Sequence, residues 1–78
     1  MKARVTVFYK ESVFDPQGNT ITQSLNRMGF ERVKSVRVGK IFEIEVDRSD
    51  RESVQSEIRK MCDQLLANPI IESSKIEF

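Results

Sequence analysis

The sequence predicts an α+β fold, in which strands and helices alternate along one chain of 78 residues. Apolar and polar residues alternate over residues 3–11 and 34–46, which is the period of a strand with one buried face. Apolar residues recur at helical spacing over residues 16–28 and 49–67. Residues 70–78 alternate in part and are interpreted as the last strand, so the order is strand, helix, strand, helix, strand. We expect both helices to cover one face of an antiparallel or mixed sheet, because each must bury an apolar stripe.

The central stretch, residues 34–46, distinguishes two versions of this fold. Its even positions from Val36 to Val46 are apolar except for Lys40, and the alternation continues unbroken across Gly39. A two-residue turn at Gly39 would put the apolar residues of the two arms on opposite faces, whereas a three-residue loop or an unbroken strand would keep them together. A lone glycine is a weak turn signal. We therefore expect one long strand, bent near Gly39; the alternative is a hairpin there, which gives a ferredoxin-like βαββαβ fold.

The length of this stretch predicts self-association. At about 3.3 Å per residue the stretch spans about 43 Å. A compact chain of this size has an expected radius of gyration of only about 12 Å. One end of the strand should therefore extend beyond the sheet of its own chain, and we expect a second chain to pair with it.

Capping residues mark the ends of the two helices. Asp15 is the expected N-cap of the first helix, with Pro16 at its first helical position and Gly29 at its C-terminal end. Ser49 and Glu52 have the spacing of a capping box, which predicts that the second helix starts at Ser49. The apolar stripe of this second helix comprises Val54, Ile58, Met61, Cys62, Leu65 and Leu66.

The composition argues against several classes of function. The 13 basic and 12 acidic residues give a net charge of +1 and are interspersed, unlike the basic face of a nucleic-acid-binding protein. The absence of histidine and the single cysteine remove the commonest general base and make a structural zinc site implausible. No apolar run is long enough for a signal peptide or a membrane span. We expect a single domain, residues 1–78, in the cytoplasm.

Most residues with reactive side chains have a structural interpretation. Cys62 lies on the apolar stripe without a histidine to activate it, and we expect it in the core. Asp47 and Asp50 flank a helix start, where acidic residues favour the helix dipole. No set of residues in this sequence could carry out a reaction alone.

Two features of the strands leave alternatives open. Arg37 and Lys40 lie on either side of Gly39, where they could bind a phosphate or a partner carboxylate, or only protect an exposed strand edge. Phe8 falls on the polar face of the first strand, either as an isolated exposed residue or as part of a surface that meets another chain.

Three segments resemble those of a known family: Asp15–Gly18, Ser35–Lys40 and Cys62–Glu72. In this order, and in a chain of this length, they are similar to the PurS family. Members of this family are the small subunits of the multi-subunit phosphoribosylformylglycinamidine synthase of purine biosynthesis. The resemblance extends over essentially the whole chain.

The resemblance implies a role within an enzyme. The whole enzyme converts formylglycinamide ribonucleotide to formylglycinamidine ribonucleotide with ATP and ammonia from glutamine, so it is an ATP-dependent carbon–nitrogen ligase. By resemblance, a large synthetase subunit holds ATP and magnesium, and a glutaminase subunit releases ammonia. The PurS-like subunit bridges the two and supports ammonia transfer. The resemblance implies no catalytic residue, cofactor or metal site in this chain, and it implies a homodimer or a higher homo-oligomer.

We expect partner contacts within the three segments, at Asp15, Pro16, Gln17, Gly18, Arg37, Gly39, Lys40, Asn68, Pro69 and Glu72. Two other classes of function compete with this interpretation. A ferredoxin-like regulatory module would sense a small molecule at a dimer interface. A small RNA-binding module would show steep salt dependence. Neither accounts for the three segments together.

Overall fold

A computed structural model describes all of residues 1–78. It contains three strands, two α-helices and one π-helical turn. In chain order these are β1 (Lys2–Tyr9), α1 (Pro16–Arg27), β2 (Gly39–Glu45), α2 (Arg51–Met61), the π turn (Cys62–Leu66) and β3 (Glu72–Glu77). The predicted α+β class and the order of the elements are confirmed. Neither α-helix is long and apolar enough to cross a membrane.

The sheet is antiparallel throughout, with β1 between β2 and β3. One face of β1 packs against α2, because the alternation of the strand puts every second side chain on that face. Six side chains form the buried core: Ala3, Val5, Val7, Val54, Ile58 and Cys62. Cys62 is a free, buried cysteine, as its place on the apolar stripe predicts.

The N-terminus of α2 is capped by Asp50, one residue later than predicted. The Asp50 side chain accepts hydrogen bonds from the Glu52 backbone N–H and the Ser53 hydroxyl, at 3.2 and 2.7 Å. The assignment of Ser49 as the cap was therefore wrong. Both residue types cap helices well, and a carboxylate has two oxygens with which to bind donors in the first turn.

The C-terminal end of α2 changes into a π turn. The Ala67 N–H donates to the carbonyl oxygen of Cys62, five residues back, at 3.0 Å. A π turn places one extra residue in the helical repeat, which rotates Leu65 out of the apolar stripe. Leu65 is 83% exposed, so its prediction as a core-facing residue was wrong.

The arm, which we define as Asp15–Val38, projects beyond the end of the sheet. It comprises α1 and a connecting segment, residues 33–38, that belongs to no helix or strand. The helix ends as predicted at Gly29, whose φ of 105° only glycine adopts easily. The Gly29 and Phe30 N–H groups bond back to the carbonyls of Asn26 and Leu25 in a Schellman motif.

Only α2 covers the sheet, so the expectation that both helices share one face needs correction for α1. Gly18 is the one buried residue of α1, and no side chain of the arm belongs to the core. The reason is the point where β2 starts. Pairing begins at Gly39, opposite Phe8 near the end of β1, so the arm lies past the sheet. The molecule measures 49 × 23 × 14 Å, with a radius of gyration of 15.9 Å.

The predicted long strand is paired only over its second half. Residues 39–45 pair with β1, whereas residues 33–38 have no strand partner. Gly39 lies inside a continuous path and forms no hairpin, so the ferredoxin-like alternative is wrong. A Cβ at Gly39 would lie 2.7 Å from the Phe8 ring. Glycine is therefore required here for close approach of the ring.

Replacing Ile58 with alanine tests the position of the core. Ile58 is fully buried, so Ile58→Ala should lower the free energy of unfolding by about 2–5 kcal/mol, measured by urea denaturation. The matched control is Leu65→Ala, where exposure predicts a change of about 0.5 kcal/mol or less. Equal losses in the two variants would contradict the rotation that the π turn causes.

Candidate functional site

The three segments singled out in the sequence meet where the arm joins the sheet, a region we call the junction. β1 reaches it at Phe8 and Tyr9, which pair with Gly39 on one side and Glu72 on the other. A cavity of about 100 Å³ lies there, lined by Val7, Tyr9, Gln17, Val38, Gly39, Lys40 and Glu72. Each of the three segments thus contributes to one small concave surface.

Asp15 connects the start of α1 to the connecting segment. Its Oδ1 accepts from the Gly18 N–H and its Oδ2 accepts from the Val38 N–H, both at 2.9 Å. These hydrogen bonds favour the ionised carboxylate. They hold the pKa of Asp15 below its ordinary value, chiefly through the Gly18 N–H and next through the Val38 N–H. Asp15 is confirmed as the N-cap, and it also fixes the two ends of the arm to each other.

Gly18 allows this close approach. It is buried, and a Cβ at this position would overlap the Val36 carbonyl oxygen. Only a residue without a side chain lets the first turn of α1 lie directly against the connecting segment. The role of Gly18 in its own chain is therefore to bring two parts of the backbone together.

Arg37 connects the arm to the sheet. Its Nη2 donates to the carbonyl oxygen of Tyr9 at 2.7 Å. Its guanidinium carbon lies 4.9 Å from the centre of the Phe8 ring, within the range of a cation–π interaction. The unexpected position of Phe8 on the polar face of β1 has this explanation inside the chain.

The segment Asn68–Glu72 forms a rigid turn through reciprocal hydrogen bonds. Glu72 Oε1 accepts from the Asn68 N–H at 2.7 Å, and Asn68 Oδ1 accepts from the Ile70 N–H at 3.1 Å. The Asn68 carbonyl also accepts from Ile71 and Glu72, at 3.1 and 2.7 Å. Glu72 lines the cavity, while Asn68 and Pro69 lie on the exposed side of the turn.

Lys40 is the cation at the cavity without an ionic partner. It pairs across the sheet with Val7, which places it on the α2-facing side of the sheet, and it takes part in no ion pair. Pro16 and Gln17 are exposed beside it on the first turn of α1. The junction also includes Phe8, Tyr9 and Val38, which the sequence did not single out as site residues. The one available signal was the apolar Phe8 on a polar strand face.

The chemistry available at the junction is that of a docking surface. Its titratable side chains are Asp15, Arg37, Lys40, Tyr9 and Glu72, and none of them is fully buried. No group of three or more metal-binding side chains exists in the structure. Hydrogen bonds within the chain already occupy Asp15, Arg37 and Glu72, whereas the side chains of Tyr9, Gln17 and Lys40 make no hydrogen bond or ion pair in the chain.

The fold and the junction define a small α+β protein with one three-stranded sheet, one covering helix and a projecting arm. Residues 2–78 match the family model for PurS, described as phosphoribosylformylglycinamidine (FGAM) synthase. A PurS subunit of this synthase from Archaeoglobus fulgidus is 42% identical over 76 residues, which are 97% of this chain and 95% of the relative.

Solved structures agree with the family match. Bacillus subtilis PurS superposes with a TM-score of 0.88 at 41% identity, covering 97% of this chain and 94% of that one. A chain of the PurLQS structure from Thermotoga maritima gives a TM-score of 0.87 at 33% identity, covering 97% and 93%. The chain therefore belongs to the PurS family, as the three sequence segments indicated.

Replacing Gly18 with alanine tests the close approach of α1 to the connecting segment. By helix propensity alone Gly18→Ala would stabilise the chain by up to about 1 kcal/mol. We expect the opposite, a loss of about 1–3 kcal/mol, because the new methyl group overlaps the Val36 carbonyl. Hydrogen exchange of the Val38 N–H measures the effect. Asn19→Ala, on the next and exposed position of α1, is the control and should leave this exchange rate unchanged.

Acid should break the hydrogen bonds that the Asp15 carboxylate accepts from the Gly18 and Val38 N–H groups. A carboxylate whose pKa is lowered on folding stabilises the fold above its unfolded pKa of about 3.9. That stabilisation is lost as the pH falls through the lower folded pKa. Amide resonances of Gly18 and Val38 should therefore titrate together with a midpoint below 3.8. Asp15→Asn should abolish this titration. A midpoint at or above the ordinary pKa of aspartate would contradict the stabilisation of the Asp15 carboxylate by these two hydrogen bonds.

Proposed function

We propose that this chain is the non-catalytic small subunit of phosphoribosylformylglycinamidine synthase. In this role it bridges the large synthetase subunit and the glutaminase subunit and supports the transfer of ammonia between them. ATP and magnesium would be bound by the large subunit. The observation that carries the proposal is the convergence of three family-like segments on a junction that has docking chemistry but no nucleophile paired with a base. The relative in the Thermotoga maritima PurLQS structure supports a role in such an assembly.

Bridging suits the physical problem of ammonia transfer. Free ammonia in water becomes protonated and diffuses away, so a sheltered path between two active sites is needed. A subunit that aligns two enzymes needs surface shape and charge, and it needs no reactive side chain of its own. The rigid Asn68–Glu72 turn fits this purpose, because a preorganised surface loses little conformational entropy on binding.

The proposal includes a homodimer in which a second copy covers the arm. The backbone groups of residues 34–37 make no hydrogen bond within the chain. An unpaired strand-like segment is a template for pairing with another chain. Four large apolar side chains lie exposed on or beside α1, which is typical of a protein interface. They are Phe14, Ile21, Met28 and Phe30.

We propose that Lys40, Gln17 and the outer side of the Asn68–Glu72 turn contact the partner enzymes. Lys40 has no ionic partner in its own chain, so a partner carboxylate or phosphate could pair with it without displacing another group. Pro16, Asn68 and Pro69 are exposed at the same end of the molecule and complete this surface.

Reconstitution from separate subunits tests the function. Omitting this chain should abolish glutamine-dependent turnover and spare turnover supported by added ammonia, because the proposed role is alignment rather than chemistry. Lys40→Glu should weaken assembly by about tenfold or more, since the reversed charge repels the partner group. Sedimentation velocity of the mixture measures assembly.

Lys60→Glu is the matched control for the charge reversal. Lys60 is exposed on α2 and makes no ion pair, and it lies outside the junction. The Lys60→Glu variant should assemble like the unmodified chain. If both variants assemble normally, Lys40 is not a contact; if the chain is dispensable for glutamine-dependent turnover, the bridging role is wrong.

A further inference from the structure

A single polar side chain attaches the arm to the rest of the molecule. No backbone hydrogen bond and no ion pair joins Asp15–Val38 to the sheet or to α2. The one hydrogen bond between the two parts is that from Arg37 to the Tyr9 carbonyl. No arm side chain reaches the core. The direction of the arm therefore depends on Arg37 more than on any other polar group.

The surroundings of Arg37 form a layered contact. The backbone of Gly39 lies against one side of the Phe8 ring, so close that a Cβ there would lie 2.7 Å from the ring. The guanidinium of Arg37 lies 4.9 Å from the centre of the same ring. Phe8 is thus held by the sheet and presents a fixed surface to the arm. A planar guanidinium can stack on this ring and donate to Tyr9 at the same time, whereas a lysine ammonium is a point charge without a stacking face.

We propose that Arg37 is a positioning residue that fixes the direction in which the arm leaves the sheet. It acts through Phe8 and the Tyr9 carbonyl of its own chain. In doing so it sets the position of the connecting segment and of the exposed side of α1, which a second copy must meet. The consequence for assembly rests on the proposed homodimer. The role of Arg37 in fixing the direction of the arm does not rest on it, because all of its contacts lie within one chain.

Residual dipolar couplings of the full chain measure the direction of the arm. In Arg37→Met the couplings of β1 and α2 should keep their relative values, while those of α1 should change or shrink as the arm reorients. Arg37→Lys keeps the charge and should behave like Arg37→Met, because it cannot stack and donate in the same geometry. Lys34→Met removes a cation of the same connecting segment that makes no hydrogen bond and should leave all couplings unchanged.

Sedimentation equilibrium measures the consequence for assembly. Arg37→Met should raise the dimer dissociation constant by about tenfold or more, the effect of losing a charged hydrogen bond and a cation–π contact. Phe8→Leu should raise it by about two- to fivefold. The double variant should be weaker than the wild type by less than the product of these factors, because both changes remove one shared contact.

The two measurements separate failure of this inference from failure of the proposed function. Unchanged α1 couplings in Arg37→Met would overturn the positioning role. Equal dissociation constants for Arg37→Met and Lys34→Met would overturn its effect on assembly. If the unmodified chain is a monomer at all concentrations, the proposed homodimer fails, and the couplings alone decide the role of Arg37.

Discussion

The small size of the core is the constraint on which the rest of the structure depends. Only six side chains are buried completely between the sheet and α2 with its π turn. A chain of 78 residues is close to the lower limit of length for folding without disulfides or metal. The helix α2 already covers the buried face of the sheet, so α1 has no apolar surface of its own chain to cover. Ordering the arm costs conformational entropy without adding to the core. The large apolar side chains of the arm therefore stay exposed in the single chain, and this exposure is the physical basis of the proposed homodimer.

The sequence predicted the elements well, and the length of residues 34–46 predicted that one end of this stretch would lie beyond the sheet, but the pattern did not show which end. Alternation over residues 34–46 correctly identifies a strand-like stretch with one apolar face. The pattern is the same on both sides of Gly39, although only residues 39–45 pair within the chain. Periodicity reports which face will be buried; it does not report whether the covering group lies in the same molecule. For this reason the apolar stripe of α1 correctly indicated an apolar face, but the prediction that this face packs on the sheet was wrong.

Other differences arise where two local solutions have nearly equal energy. Ser49 and Asp50 are both good caps, and the choice depends on which side chain meets the first-turn donors in three dimensions. A π turn cannot be read from a pattern that assumes 3.6 residues per turn, so Leu65 was assigned to the wrong face. At the junction, the sequence identified Asp15 as a helix cap because Pro16 follows it at the first helical position. It gave no sign of the bond to Val38, 23 residues away.

The distribution of charge differs between the junction and the open face of the sheet, which is the face that α2 does not cover. On the open face Lys2 and Arg4 lie 3.8 and 3.9 Å from Glu43. All three side chains are more than half exposed, so these pairs add little stability. They do, however, compensate one another, and a partner would have to desolvate both signs of charge at once. Lys40 has no such compensation, and the neighbouring Glu72 is engaged by the Asn68 N–H. Lys75, opposite Thr6 on the open face, also makes no ion pair. What distinguishes Lys40 is its position, because it lines the cavity at the end of the molecule from which the arm projects. This position is the basis on which Lys40 is proposed as a partner contact.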